Sequence, residues 1–182
     1  MKKFKSSNMM RIITWLIMIL GGSLFSVWMD YKLFRVLITN PYFHLLTLVF
    51  GVPLLYFVLL VSRNTGRFLA RMGRVGDRPR MDTNRLVTHG VYSCMRHPMH
   101  FGLLFFPLSV ALIIGSPFFI LIVSPLEMLF MILMIKFFEE PEVIKKFGKE
   151  YINYKSKVPM FNLHLSCIYR LIGKTLPPND KK

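Results

Sequence analysis

Four apolar stretches, at residues 12–29, 42–62, 99–115 and 118–138, are each long enough, or nearly so, to cross a hydrocarbon core of about 30 Å. They cannot all be hidden in a soluble domain of 182 residues, because 53% of the chain is apolar by type and only 18% is charged. So short a chain encloses too small an interior for that much oil. A solvated disordered chain is excluded as well, by 17 Phe, 7 Tyr and 2 Trp. Cys94 and Cys167 are too few for a disulfide framework or for a zinc site made of thiolates alone. The expected fold is an all-α integral membrane protein of about four transmembrane helices. No small-residue cleavage site follows the first stretch, so it reads as a retained span.

Charge sets the expected topology. Of the 24 Lys and Arg, four lie in the tail through Arg11, eight lie across residues 63–96 and ten lie from Lys136 onward. Only two, Lys32 and Arg35, fall in the loop at 30–41. With four spans the three rich segments share one side. That asymmetry puts both termini in the cytoplasm, of a bacterial inner membrane or an endoplasmic reticulum. The formal net charge of +15 is therefore mainly a topological address, aided by attraction to anionic lipid. The basic stretch 63–85 has few aromatics to stack on bases and no nucleic-acid motif, so no nucleic-acid partner is expected.

Residues 1–62 read as a two-span scaffold with little ionisable chemistry, in which Gly21, Gly22 and Gly51 permit close helix approach and His44 serves as an interfacial hydrogen-bonding group. Residues 63–182 read as the catalytic part of the same single domain. Arg63, Arg67, Arg71 and Arg74 recur at helical spacing, which predicts that the second span continues as a basic helix along the headgroups. Gly73, Gly76 and Pro79 end it, and Gly76-Asp77-Arg78-Pro79 reads as a turn. The last two spans form a hairpin that turns at Gly115-Ser116-Pro117.

That hairpin brings distant polar residues to one depth. At the helical rise, His97 lies about 29 Å and Glu139 about 35 Å below the Ser116 turn. Arg96, His97, Glu139 and Glu140 are thus expected to converge at the inner membrane boundary and are the candidate catalytic residues. Taken singly, Arg96-His97 could be a snorkelling interfacial pair and Glu139-Glu140 a solvated helix end. Pro98 suits the first turn of a helix, and the amides there favour an anionic ligand group.

Leu86-Val87-Thr88-His89-Gly90-Val91-Tyr92, followed by Arg96-His97-Pro98-Met99-His100-Phe101-Gly102, resembles the LVTxGxYxxxRHPxYxG signature of isoprenylcysteine carboxyl methyltransferases and related membrane phospholipid methyltransferases. The run from Glu139-Glu140 through Phe147-Gly148, Tyr151, Tyr154 and Val158-Pro159 resembles that family's EE…FGxxYxxY…VP ending. Both blocks stand in order, one hairpin apart, and cover roughly residues 86–159. The resemblance implies S-adenosyl-L-methionine as methyl donor at the inner membrane boundary, and a lipid-like or amphiphilic acceptor arriving from the bilayer. Carried over by position, the cofactor contacts are Asn84, Arg85, Leu86, Val87, Tyr92, His97, Pro98, Met99, His100 and Glu139. A carboxylate such as Glu139 suits the donor's ammonium or ribose diol. Helix-start amides or His97 suit its carboxylate, and Tyr92 its adenine. Neither a covalent nucleophile nor a metal is required.

The chain departs from the pattern at two places. His100 stands where the family has tyrosine, keeping a ring and a donor but adding a group that titrates near neutrality. Ile135, with Lys136 beside it, stands where the family has an arginine associated with the acceptor's carboxylate. That weakens the case for a prenylcysteine acceptor and leaves the cofactor residues intact. Carboxyl O-methylation is the leading reaction, with N-methylation of an aminophospholipid or S-methylation of a thiol in the same class. Membrane sterol and steroid reductases, which use NADPH, carry a similar RHPNYxG, and a non-catalytic membrane scaffold is the other alternative.

Three further features stay open to two readings each. Glu127, a carboxyl inside a span, either lines an acceptor tunnel or is protonated against a neighbouring helix. Pro107 and Pro125 either open such a tunnel or are tolerated kinks. Val143, Phe147, Tyr151, Tyr154 and Val158 recur near helical spacing, predicting an amphipathic cytoplasmic helix that is a lid on the cofactor or a membrane-surface anchor. Residues 161–176 read as a second interfacial stretch and 177–182 as a frayed tail. Cys94 reads as an ordinary small residue.

Overall fold

In the computed structural model of the chain, residues 2–76 and 83–173 are described, the side chains of 2–12 excepted. The predicted turn from Asp77 on and the tail at 177–182 lie outside the described residues. Every element among the described residues is helical. In chain order these are α1 (Lys2–Leu33), the short α2 (Arg35–Ile38), α3 (Pro41–Met72), α4 (Pro98–Leu104), α5 (Phe106–Ile114), α6 (Ser124–Met134), α7 (Glu140–Phe147), α8 (Lys149–Lys157) and α9 (Leu165–Ile172). A 3₁₀ turn occupies Gly90–Ser93, and wider π turns at Phe119–Val123 and Ile135–Glu139 flank α6.

Among the described residues three helical runs are long and apolar enough to cross a membrane: Ile13–Leu33, Pro41–Met72 and Phe119–Phe147. The remaining apolar stretch, Pro98–Ile114, is shorter. It is broken at Phe105, between α4 and α5, because Pro107 has no N–H to give to the Leu103 carbonyl. Pro125 acts differently. Lacking the N–H that would close on Leu121, it comes two residues after the end of a widened π turn, and the helix continues. The apolar side chains of α1 and α3 are largely exposed, Leu24 by 76% and Tyr56 by 67%, a surface suited to lipid and not to water. The chain is a multi-pass integral membrane protein.

Contacts gather the chain into two compact units, Met1–Leu55 with Phe106–Met131 and Tyr56–Phe105 with Ile132–Lys182. In the first, α1 lies against the segment that leads into α6. Gly22 allows the approach: a Cβ there would stand 3.0 Å from Val123 Cγ1 and from Glu127 Oε1. Glu127 is buried, and its Oε2 meets no hydrogen-bond partner among the described residues. The hairpin turn at Gly115-Ser116-Pro117 is held by Asp30, a buried carboxylate the sequence did not single out. Asp30 accepts hydrogen bonds from the Ser116 hydroxyl and, at 2.8 Å, from the Phe118 amide. Ser116 in turn accepts from the Phe119 amide at 3.1 Å, capping the helix start ahead of Pro117. His44 bonds the Ile38 carbonyl at 2.8 Å.

In the second unit α3 continues as the basic helix carrying Arg63, Arg67 and Arg71. Its inner face, Val61 and Phe68, packs with Val87, Val91, Tyr92, Met95 and Phe101 and with Cys167 and Leu171 of α9. Gly90 has φ +65°, and a Cβ there would meet the Phe68 ring at 2.6 Å. Glycine at this point therefore lets the 90–93 turn settle on α3. Asn64 donates to the Leu171 and Ile172 carbonyls, at 3.3 and 2.9 Å, closing the end of α9. Cys94 is bonded to Cys167, with Cα atoms 5.9 Å apart, so it is a cross-link between the loop before α4 and α9 and not merely a small residue. Two amphipathic helices replace the expected single one. Gly148, at φ +57° and ψ −133°, ends α7 and begins α8, and Tyr151 and Tyr154 on α8 turn into the unit. Within 161–176, α9 buries Cys167 and Leu171 and exposes Leu165 and Tyr169.

Candidate functional site

The site is built at the start of α4, within the second unit. Pro98 occupies the first turn, where its missing N–H costs nothing. His97 immediately precedes it and His100 comes three residues later, so the two imidazoles share one side of that turn, their ring centres 5.6 Å apart. The strand of chain after α8 lies alongside. The Arg96 amide donates to Pro159 O at 2.9 Å and the His97 amide to Met160 O at 3.3 Å. Those two amides precede the first turn of α4 and are committed to the chain itself. From the other direction the π turn at Ile135–Glu139 delivers Glu139 and then Glu140. A π turn holds one residue more than an α turn, so it rotates the facing of the residues C-terminal to it.

Of the two acids, Glu140 is the deeper. It is 1% exposed, and its Oε1 accepts from Arg96 Nη2 at 2.6 Å and Nε at 3.0 Å. Lys155 Nζ meets Oε2 at 2.5 Å, and the Tyr151 hydroxyl stands 3.4 Å from Oε1. Arg96 also donates Nη1 to the Val158 and Lys155 carbonyls, at 2.5 and 3.3 Å. Two cations facing one buried carboxylate keep the cluster compensated, which is the condition for burying charge. Burial pushes the Tyr151 hydroxyl up to about 12 and raises Tyr92 and Tyr154 further, so all three are neutral donors. Tyr154 uses its proton on the Tyr92 carbonyl.

Above this cluster, Glu139, His97 and His100 are arranged differently. His100 Nε2 is 3.2 Å from Glu139 Oε2, both side chains 22% exposed. His97 Nε2 is 3.4 Å from Glu140 Oε1 but lacks hydrogen-bond geometry, and it is a buried nitrogen with no hydrogen-bond partner among the described residues. Burial pushes the His97 imidazole below its ordinary range, against the pull of Glu140, so the ring is neutral at pH 7. One donor atom from each of His97, His100 and Glu139 lies within 4.8 Å of the others.

These residues open on a cavity of about 170 Å³. Of the sequence-predicted residues it is lined by Arg85, Leu86, Val87, Tyr92, Arg96, His97, Met99, His100 and Glu139. Three predicted residues are not on its wall. Asn84 spends its side chain on Val75, accepting from the amide and donating to the carbonyl at 2.8 Å each, which folds the loop back on the end of α3. Pro98 is buried as a helix starter. Glu140 belongs to the cluster beneath. Tyr92 has one ring face covered by Phe68, at 6.2 Å and 18°. Val143, Phe147, Tyr151 and Tyr154 complete the wall from α7 and α8. Their periodicity was visible in sequence, whereas nothing there marked Lys155. Ile135 is 1% exposed and packs inward, so no cation replaces the family arginine at that position.

A helical membrane protein with a largely apolar cleft, set with a few charged and imidazole groups and enclosed by the two signature blocks, is what a membrane methyltransferase family would present, and the comparison with known proteins agrees. The profile described as "Phospholipid methyltransferase" matches residues 46–150, more than half of the chain, and the chain belongs to that family. It is 31% identical over 84 residues to the Protein-S-isoprenylcysteine O-methyltransferase of Mus musculus, covering 43% of this chain and 27% of the relative. The protein of the same name from Rattus norvegicus gives the same figures. The match thus spans about a quarter of the length of those relatives. No solved structure matches.

Proposed function

We propose that this protein transfers a methyl group from S-adenosyl-L-methionine to a lipid-like or small amphiphilic acceptor, with carboxyl O-methylation as the leading reaction. The observation that carries the reading is the cleft over the start of α4, where Glu139, His97 and His100 meet Arg85, Leu86 and Val87 beside apolar wall from α7 and α8. Family membership and the name of the rodent relatives support the same chemistry. We also read four spans with both termini cytoplasmic, from the distribution of Lys and Arg and the continuation of α3 as a basic helix.

The donor set fits the group. When bound, S-adenosyl-L-methionine supplies an electrophilic methyl carried on a sulfonium. Glu139 is the anion for the donor's ammonium or ribose hydroxyls, and it is accessible enough to receive them. The Arg85 cation, on the cavity wall, and the first-turn amides of α4 are the partners for the donor's carboxylate. His97 offers a neutral imidazole whose buried Nε2 lacks a hydrogen bond among the described residues, and a polar atom in that condition calls for a ligand or water. Leu86, Val87 and Met99 give the apolar wall, and α7 and α8 keep water from the reacting atoms. The chain's contribution to rate is alignment and desolvation. Glu140 and Arg96 act as positioning residues through the elements they tie together.

The test is binding and then transfer. Detergent-purified protein is titrated with S-adenosyl-L-methionine and with NADPH as the contrasting ligand, beside Glu139→Ala. Binding of the first that Glu139→Ala abolishes supports the reading, and binding of NADPH alone defeats it. Radiolabelled methyl transfer into extracted lipids and into carboxyl-terminal peptides then identifies the acceptor. Base-labile label indicates an ester, and stable label in aminophospholipid indicates nitrogen.

A further inference from the structure

We propose that His97, His100 and Glu139 form a binding site for a divalent metal ion of the zinc type. Two imidazoles and one carboxylate, with a fourth position left open, are a ligand set that zinc accepts. In this chain a donor atom from each lies within 4.8 Å of the other two, close enough for one ion to draw all three in. His97 and His100 are fixed relative to each other by the first turn of α4, and Glu139 is delivered by the π turn opposite. The His97 Nε2 is buried without a hydrogen-bond partner among the described residues, whereas His100 and Glu139 are 22% exposed. The site therefore has a buried end and an entrance.

Position 100 makes the inference particular to this chain. The signature resembled by residues 86–102 carries a tyrosine there, which would leave one imidazole and one carboxylate. His100 supplies the second nitrogen ligand. Arg96 and Lys155 are compensated by Glu140 and by backbone carbonyls. Glu139 is the carboxylate beside the imidazoles, its Oε2 3.2 Å from His100 Nε2.

The site stands on these residues alone and does not depend on the methyl-donor reading. The two readings share Glu139 and His97, so an occupied metal site and a bound donor exclude each other. The probe is Co²⁺, whose visible absorption reports nitrogen and oxygen coordination of low symmetry. Full-length, chelator-treated and untagged protein in detergent is titrated with it, with Zn²⁺ as competitor and without any donor. The expected result is one ion per chain, displaced by Zn²⁺, with affinity at least about tenfold weaker in His100→Tyr and in Glu139→Gln. Circular dichroism confirms unchanged helicity in both variants, and His100→Tyr restores the residue of the resembled signature. Absence of coordinated Co²⁺ in the parent protein, or equal affinity in the parent and in helical His100→Tyr, overturns the proposal. Failure of S-adenosyl-L-methionine to bind leaves these outcomes as they are.

Discussion

The Arg96 guanidinium grips the Glu140 carboxylate across 44 residues of sequence, with two of its nitrogens on the same oxygen. Through that contact the start of α4 is tied to the start of α7. Because the side chains are only 8% and 2% exposed, removing one partner strands the other's charge in the interior. Glu140→Gln or Arg96→Ala is expected to destabilise the fold by about 3–5 kcal/mol. Denaturant unfolding in detergent measures it, and the double variant should lose less than the two singles summed.

Glu139 should behave in the opposite way. It is partly exposed and faces the cleft, so Glu139→Gln is expected to unfold almost as the parent does. Its cost should fall on S-adenosyl-L-methionine, with affinity reduced about ten- to a hundredfold, the worth of a hydrogen bond to a charged group. Calorimetric titration alongside thermal unfolding separates the two acids. Equal stability losses at 139 and 140 would contradict the division into an upper and a lower layer.

His97 gives the stability a pH dependence. Burial holds its folded-state affinity for protons below that of the unfolded chain. The unfolded state consequently binds more protons over the window from the ordinary value of about 6.5 down to the lowered one. The contribution is present in full above about pH 6.5 and is lost as pH falls through the folded value. Unfolding midpoints measured between pH 7.5 and 4.5 should show this loss, and His97→Gln should flatten that part of the profile.

Gly90→Ala tests the turn that carries Tyr92. The substitution meets both a left-handed backbone and the Phe68 ring. A loss of at least about 2 kcal/mol is expected from strain and overpacking together. Thermal unfolding provides the number, and loss of donor affinity should accompany it because Tyr92 lines the cleft.

The long apolar runs were legible at once, since membrane spans depend on length and hydropathy alone. The break of the stretch at 98–114 was half legible: Pro107 marked it, but whether a proline kinks or interrupts depends on packing. The meeting of Arg96 and His97 with Glu139 and Glu140 could be anticipated from helical rise. Which acid would be buried could not, because the π turn at Ile135–Glu139 sets the facing and leaves no trace in a hydropathy pattern. Asp30 and Lys155 escaped notice for a similar reason. Each matters through a partner 86 or 15 residues away, Ser116 and Glu140 respectively, and single charges carry no periodic signal. The Cys94–Cys167 link spans 73 residues and was equally silent.

Glu140, Arg96 and Lys155 hold one another in the interior, while Glu139 and His100 pair separately where the cleft opens. Selection can therefore rewrite the three upper side chains without first repairing the foundation. Lineages sharing this scaffold are free to diverge in what they bind, and position 100, where the resembled signature carries tyrosine and this chain histidine, is one place to do so.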